Sequence, residues 1–279
     1  MQEAIPSKTA LRVALRRAAH QVVDSPVVFA DPLAIPILSR EYAAELGRTP
    51  TRPDKPHSHA LRAWMVVRSR YAEDQLAEAV ARGVRQYCLL GAGLDTFAYR
   101  NPHPGLRVFE VDHPATQAWK RELLQENGIA IPESVTHVPV DFERQQLGEE
   151  LARSGFDATQ PTFFAWLGVV PYLTIEAFRA TVAFAAAQPV GSGVVFDYGQ
   201  PRHVLGYFER LAHDSLSARV AQAGEPFRLF FTPEEAAYEL VAFSRIEDVG
   251  REELNALYFA NRADQLTILG SAHIVTAWR

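Results

Sequence analysis

The run Cys88-Leu89-Leu90-Gly91-Ala92-Gly93-Leu94-Asp95-Thr96 passes from unbroken apolar residues straight into a Gly-x-Gly turn. Glycine reaches backbone conformations closed to other residues and lets a ligand approach the main chain closely. Such a turn after the first strand of a doubly wound sheet stands at the mouth where nucleotides bind. By itself Gly-x-Gly is equally a plain strand-end turn, so the acids downstream decide between the two. Phe109-Glu110-Val111-Asp112 ends the next apolar run, and Asp112 follows Gly93 by 19 residues. A carboxylate there accepts both hydroxyl protons of a ribose. Its competing role is a helix N-cap ahead of His113-Pro114. Val138-Pro139-Val140-Asp141-Phe142 repeats the geometry after a third run. Asp141 would reach the exocyclic amine of an adenine, the Phe142 amide a ring nitrogen, and the Phe142 ring the base pocket. The alternative is a second N-cap, before 143–151. Three ligand-type features at successive strand ends favour a nucleoside site.

A dinucleotide fingerprint needs a third glycine, in Gly-x-Gly-x-x-Gly, to bring helix onto strand and seat a pyrophosphate at the helix N-terminus. Position 96 is Thr and Phe97 follows. This disfavours pyrophosphate, and with it a nicotinamide-dependent oxidoreductase. An adenosine without phosphates fits better, and S-adenosylmethionine is the obvious one. It needs ribose and adenine contacts, a partner for its carboxylate and a niche for its sulfonium.

Outward from this turn, short apolar runs alternate with helix-like stretches, the pattern of βαβ units and a mostly parallel sheet. Strands are expected at 86–90, 107–111, 136–140, 162–167 and 193–197, with helices at 113–127, 144–154 and 175–187. Two last strands are expected at 244–249 and 273–278, and further helices at 205–221 and 233–240. The fold class is therefore α/β and Rossmann-like: a mostly parallel seven-stranded sheet with helices on both faces. Upstream, 9–21 reads as a helix with an Arg-rich face, and 27–40 as short turns punctuated by Pro32 and Pro36. The three prolines of 47–59 suggest an exposed loop. A long helix over 60–82 carries Leu61, Trp64, Val67, Tyr71 and Ala72 on one stripe. The expected division is a helical cap over 1–82 and a catalytic domain over 83–279, with an insertion near 200–230.

Composition narrows the partners. The 279 residues are 48% hydrophobic and 22% charged, which is ordinary for a globular chain. Lys and Arg number 28 against 33 Asp and Glu, a net charge of −5, so there is no general electrostatic footprint for nucleic acid. The single cysteine, Cys88, sits in a core-strand pattern and reads as a buried small hydrophobe. No window of 18 apolar residues predicts a membrane span. Residues 1–30 lack the apolar run of a signal peptide, so a cytoplasmic location is expected. The histidines show no zinc spacing. His57 and His59 stand in the proline-rich segment, where metal binding is disfavoured. No Gly-x-Ser-x-Gly elbow occurs; Gly191-Ser192-Gly193 is a turn before a strand.

Leu90-Gly91-Ala92-Gly93-Leu94-Asp95-Thr96, Phe109-Glu110-Val111-Asp112, Val140-Asp141-Phe142 and Arg68-Ser69-Arg70-Tyr71 together resemble the leucine carboxyl methyltransferase family. More closely they resemble its bacterial branch of proposed S-adenosylmethionine-dependent O-methyltransferases, over about residues 9–198. The resemblance implies a class I methyltransferase fold with an added N-terminal helical region. It implies that Gly91 and Gly93 approach the methionine part, that Asp112 binds the ribose, and that Asp141 with Phe142 holds the adenine. It also implies an arginine on the helix before the first strand that pairs with the cofactor carboxylate, matched by Arg70, and a basic residue from the N-terminal helix, Arg17 or alternatively Arg16. Guanidinium–carboxylate pairing is bidentate and directional, which suits such a clamp. Taken without the family, Arg70 could equally pair with Glu73 or Asp74, and Arg17 could sit on a solvated face. The chain departs from the family after the fourth strand, where Ala-Glu-Gly-x-x-x-Tyr-Leu becomes Ala165-Trp166-Leu167-Gly168-Val169-Val170-Pro171-Tyr172-Leu173. Leu167 stands near the missing acid, which argues against carrying over a carboxyl-methylating substrate. Trp166 could supply an aromatic wall or simply be core.

Methyl transfer from a sulfonium is an in-line displacement that needs positioning and water exclusion, with no metal or covalent intermediate. A carboxylate acceptor needs no general base, whereas a hydroxyl acceptor gains from one. Tyr172, Asp197, Tyr198 and His203 are the candidates near the sheet mouth. Tyr172 and Tyr198 are expected to face substrate. The catalytic residue is left unassigned, with Tyr198 and His203 the candidates for a base and a surface position the favoured reading of His203. Leu205, Tyr207, Phe208, Phe227, Leu229 and Phe230 could shape an acceptor pocket or form ordinary core. The expected activity is O-methylation of a small molecule. A non-catalytic S-adenosylmethionine-binding protein is the other reading, supported by Leu167.

Overall fold

The computed structural model describes residues 7–48, 56–142, 144–222 and 224–279. Seven strands form one sheet: β1 (Gln86–Leu90), β2 (Arg107–Asp112), β3 (Val135–Pro139), β4 (Thr162–Trp166), β5 (Gly193–Tyr198), β6 (Arg245–Val249) and β7 (His273–Trp278). Their spatial order is β3-β2-β1-β4-β5-β7-β6. The first five pair in parallel, and β7 runs antiparallel to both β5 and β6. The chain winds outward from β1 to β3, then returns to β4 on the other side of β1. That reversal opens a crevice at the carboxyl ends of β1 and β4, where ligands bind in sheets of this kind.

Strands β1, β4 and β5 are buried along their whole length. This is why they read as continuous apolar runs rather than alternating ones. Helices cover both faces. Among the described residues these are α1 (Lys8–Val23), α2 (Arg40–Arg48), α3 (Pro56–Ala81), α4 (Phe97–Arg100), α5 (Pro114–Glu126), α6 (Leu147–Arg153), α7 (Ile175–Ala186), α8 (Tyr207–Gln222), α9 (Pro233–Glu239) and α10 (Arg251–Tyr258). Val66, Val67, Tyr71 and Leu76 of α3 share one core with Tyr87, Leu89, Phe163 and Trp278 of the sheet. The opposite face packs Phe109, Phe164 and Phe196 against Leu151 of α6 and Phe178 of α7.

Local signals set the helix starts. The Ser7 side chain accepts from the Ala10 amide at the head of α1. Pro114 opens α5 behind His113, whose ring accepts from the Ala115 amide. Thr232 and Glu235 make a reciprocal capping box on α9. Helix α1 buries Ala14 and Ala18 against Ile37, Leu38, Leu94 and Leu124. A buried Asp24 carboxylate accepts from Arg62 Nε and Nη2 at 2.6 Å each and pairs with His20 Nδ1 at 2.7 Å. This staples the turn after α1 to α3. The loop expected over 47–59 gives way to helix at both of its ends. Residues 47–48 finish α2, 56–59 begin α3, and 49–55 lie outside the described residues. After β5 a single 3-10 turn (Arg202–Val204) leads into α8. The chain then returns across the sheet mouth, with the Arg228 amide donating to the Pro171 carbonyl (2.7 Å) and the Phe231 amide to the Gly199 carbonyl (3.1 Å). No helix among the described residues is long and apolar enough to cross a membrane.

Candidate functional site

A cleft of about 270 Å³ opens at the carboxyl ends of β1, β2 and β4, bounded by α1 on one side and the segment after α8 on the other. Its floor is the Gly91–Gly93 turn. Gly91 and Gly93 have φ of +69° and +48°, in the left-handed region that disfavours a side chain. The turn is pinned beneath β2 by the Gly91 and Ala92 amides, which both donate to the Val111 carbonyl at 2.8 and 3.1 Å. A Cβ on Gly91 would lie 2.4 Å from Val169 Cγ2.

Asp112 closes the next corner. Its Oδ2 accepts from the Gly93 amide at 2.5 Å and its Oδ1 from the His113 amide at 2.7 Å. The N-cap of α5 is His113, so the capping alternative for Asp112 falls away. Burial raises the Asp112 pKa, and the two amides offset only part of that effect. Each carboxylate oxygen has spent one lone pair on the backbone; about four acceptor sites exist on the group, which leaves capacity for two hydroxyl protons. Asp141 lines the cleft one strand over. Helix α6 starts at Leu147 with Gln146 as its cap, so Asp141 does not cap it either. Instead the Asp141 carbonyl accepts from the Arg144 and Gln145 amides in a turn that directs the chain past the cleft. Phe142 lies beside it, partly buried and in the lining.

The arginines divide differently from expectation. Arg17 lines the cleft, but its guanidinium is held by Asp31 Oδ2 (2.7 Å), Asp95 Oδ2 (2.8 Å) and Thr96 Oγ1 (3.1 Å). Burial alone would lower its pKa; Asp95 and Asp31 raise it instead. Arg70 lies outside the cleft. It is half exposed, paired with Asp74 at 2.9 Å and touching the Val28 carbonyl at 3.3 Å. Of the two, Arg68 is the one that reaches the cleft. Arg68 is buried, lines the cleft, packs on Gly168, and donates through Nη1 to Asp197 Oδ2 at 3.1 Å. Two residues on a helix point about 200° apart, so only one of the pair can enter. Asp197 in turn accepts from the Gly168 amide and fixes the loop after β4. Arg16 is absent from the lining.

Thr96 explains the missing third glycine. Its buried hydroxyl stands among Asp31, Arg17 and Arg100. The α4 helix behind it is one turn of four residues, too short a helix to seat a pyrophosphate on its N-terminus. Asp95, not singled out beforehand, lines the cleft and accepts from the Phe97 amide at 2.7 Å.

After β4, Leu167 and Val169 give the cleft an apolar wall, and Tyr172 joins them with its ring 5.2 Å from Phe227. Burial raises the Tyr172 pKa. Trp166 is core: it is fully buried and stacked on Phe178 at 5.6 Å. Tyr198 does not face the cleft. It is buried, its ring stacks on His273 at 5.5 Å, and its hydroxyl donates to Asp248. Burial and that hydrogen bond raise its pKa, the wrong direction for a base. His203 is exposed on the 3-10 turn and absent from the lining. Neither predicted base therefore reaches the cleft, because β5 directs Tyr198 into the sheet edge. None of the six apolar residues left open between acceptor pocket and core lines the cleft; Leu205 is buried, and Tyr207 and Phe208 are exposed. Gly224, Glu225, Pro226 and Arg228 do line it, and Thr9 hydrogen-bonds Glu225 across the mouth. Cys88 is buried, and burial pushes its thiol up. No cluster of metal-ligating side chains occurs among the described residues, and the His57 side chain lies outside them.

This architecture has relatives. The chain is 32% identical to a Bacillus subtilis protein named "Putative S-adenosyl-L-methionine-dependent methyltransferase YktD", across 97% of each chain. It is 38% identical to a Streptomyces coelicolor protein of the same description, across 76% of this chain and 75% of that one. A crystal structure of a DUF574 family protein from Streptomyces avermitilis superposes with a TM-score of 0.56, covering 96% of this chain and 97% of that one at 18% identity, a likeness of fold. The sequence profile of leucine carboxyl methyltransferase matches residues 10–186. The chain belongs to the leucine carboxyl methyltransferase family.

Proposed function

We propose that this protein is an S-adenosylmethionine-dependent methyltransferase that transfers the methyl group to an oxygen of a small molecule. The observation that carries the reading is Asp112, fixed by the Gly93 and His113 amides with acceptor capacity still facing the cleft. Donor chemistry around it suits the cofactor. Asp112 would accept from the ribose hydroxyls, Asp141 from the adenine amine, and Phe142 would line the base. Among the described residues Arg68 donates to Asp197 alone, and its remaining guanidinium hydrogens would take the carboxylate. Arg17, already shared between Asp31 and Asp95, instead holds Asp95 and the α1 wall in position.

When bound, S-adenosylmethionine supplies a methyl group already activated on sulfur. The chain's own part is to orient and to exclude water. Leu167, Val169 and Tyr172 form the dry wall, and α1 with the 224–228 segment closes the mouth. Neither Tyr198 nor His203 would act as a base. Tyr172 is the phenol that lines the cleft, and its raised pKa suits a neutral hydrogen-bond partner for the acceptor oxygen. The 1–82 region is read as a cap that completes the cleft, not a separate binding unit.

The test is transfer of labelled methyl from S-adenosylmethionine to extracted small metabolites, followed by alkaline hydrolysis of the product. Label that appears in base-stable ethers or base-labile esters supports O-methylation and tells hydroxyl from carboxyl. Label only on nitrogen, or none despite cofactor binding, rejects it.

A further inference from the structure

Beside the Gly91–Gly93 turn lies a network of five charged side chains. Arg17 pairs with Asp31 at 2.7 Å and with Asp95 at 2.8 Å. Arg100 pairs with Asp31 at 3.3 Å and with Glu73. Two guanidiniums therefore face three carboxylates. None of the five side chains is more than 20% exposed, so solvent screens the surplus poorly. Burial and the Asp95 charge raise the Glu73 pKa despite Arg100, as a surplus of carboxylates does. Of these five residues, Arg17 and Asp95 line the cleft. The unbalanced negative charge thus meets a ligand at Asp95.

Asp95 has acceptor capacity for one. Its Oδ1 accepts from the Phe97 amide at 2.7 Å and its Oδ2 from Arg17 Nη1 at 2.8 Å. A carboxylate offers about four acceptor sites, so each oxygen keeps a lone pair. Burial alone would raise its pKa, but the charges of Arg17, Arg100 and Lys120 and the Phe97 amide bring it below the ordinary value. The group is therefore ionised at neutral pH. Next to it, Arg17 Nε is buried with no hydrogen-bond partner among the described residues. A surplus carboxylate beside an unanswered donor suits a ligand that carries both signs, as an α-amino acid does.

The other acids in the lining, among the described residues, are Asp112, Asp141 and Glu225. Asp112 and Asp141 follow β2 and β3, on the nucleoside side, and Glu225 is engaged by Thr9 at the mouth. Asp197 is spent on Arg68 and the Gly168 amide and is absent from the lining. Leu167 offers no acid after β4. Asp95 follows Gly93 by two residues, on the turn itself. The cofactor's ammonium shares a carbon with the carboxylate that Arg68 would take, so it enters a corner that already holds guanidiniums. Like charges this near one another repel, and an ionised acid in contact with the ammonium offsets that repulsion.

We infer that Asp95 accepts the α-ammonium group of the methionine moiety of S-adenosylmethionine, with Arg17 holding the carboxylate in place from behind. The inference rests on the methyltransferase reading above and adds the residue that recognises the cofactor's amino group.

The experiment is calorimetric titration at neutral pH of wild type, Asp95→Asn and Asp95→Ser. The two ligands are S-adenosylhomocysteine and its deaminated analogue, in which hydrogen replaces the amino group and the adenosine and carboxylate remain. Asparagine and serine each keep an oxygen for the Phe97 amide while removing the charge, and thermal unfolding checks that each variant is folded. Wild type should prefer S-adenosylhomocysteine over the analogue tenfold or more. Each folded variant should bind S-adenosylhomocysteine at least tenfold more weakly than wild type does, and the analogue no more than threefold more weakly, so that the preference collapses. Two results overturn the inference. Wild type that binds both ligands equally shows that the amino group is not recognised. A folded variant that keeps the wild-type preference, whether or not both affinities fall, shows that Asp95 is only structural and that the ammonium sits elsewhere. Failure of wild type to bind S-adenosylhomocysteine is a different result and removes the methyltransferase reading itself.

Discussion

Arg68 and Arg70 differ by two positions and by everything that matters to a ligand. Trp64, Val67 and Tyr71 mark the buried stripe of α3, and Arg68 falls inside it, four residues after Trp64 and three before Tyr71. Arg70 falls on the far side, where Asp74 one turn on neutralises it. The stripe was legible in the sequence, and applying its phase to the two arginines selects the inner one; matching the family motif by position alone selects the outer. Arg68→Ala should therefore weaken S-adenosylhomocysteine binding by about 1.5–3 kcal/mol, the worth of hydrogen bonds to a charged group. Arg70→Ala should change it by less than about 0.5 kcal/mol, as expected for an exposed pair. Isothermal calorimetry on the two variants reads both. Asp112 gives a pH signature. Burial raises its pKa above the ordinary value near 4, and ribose hydroxyls bind the ionised form. Affinity for S-adenosylhomocysteine should be full above that raised pKa and should fall as pH drops through it, starting at higher pH than an ordinary aspartate would. Asp112→Asn should bind weakly with a flat profile over the same range; a profile for wild type as flat as the variant's contradicts the assignment.

At the scale of elements, the Gly91–Gly93 turn couples β1, β2 and the loop after β4. Gly91 sits at φ +69° with Val169 waiting where a Cβ would go. Gly91→Ala should cost about 1–2 kcal/mol from the left-handed backbone alone. Displacement of Val169 should distort the apolar wall as well. Urea unfolding should show the loss of stability, and titration with S-adenosylhomocysteine a loss of affinity beyond it. The parallel strands were legible because full burial on both faces turns them into apolar runs closed by Gly or Asp. The direction of a side chain at a strand end was not. Asp197 and Tyr198 are adjacent, yet alternation sends Asp197 to Arg68 and Tyr198 to Asp248 of the edge strand β6. Hence, of the two tyrosines expected at the substrate, Tyr198 is buried away from the cleft and Tyr172, on the loop after β4, is the one that lines it. The short α4 and the polar role of Thr96 also depend on Asp31 and Arg100, long-range partners that no local pattern reports.

For the whole molecule, the cleft is assembled from distant stretches of the chain. Helix α1 and the 224–228 segment face each other across the mouth and touch through Thr9 and Glu225. The sequence marked an insertion near 200–230 and left its apolar residues open between pocket and core; the residues that reach the cleft are Gly224, Glu225, Pro226 and Arg228, just after α8. Ligand binding should hold these two walls together. Limited proteolysis between residues 222 and 232 should slow markedly in the presence of S-adenosylhomocysteine, and equal cleavage rates with and without it would show that the mouth does not close on the ligand.

Calorimetry with S-adenosylhomocysteine and NADH, on wild type and on Asp112→Ala, tests the adenosine cleft most directly. S-adenosylhomocysteine should bind wild type at one site per chain, NADH should not bind, and Asp112→Ala should lose about 1–3 kcal/mol of affinity. Wild type that ignores S-adenosylhomocysteine, or an Asp112→Ala protein that binds it with undiminished affinity, contradicts the account.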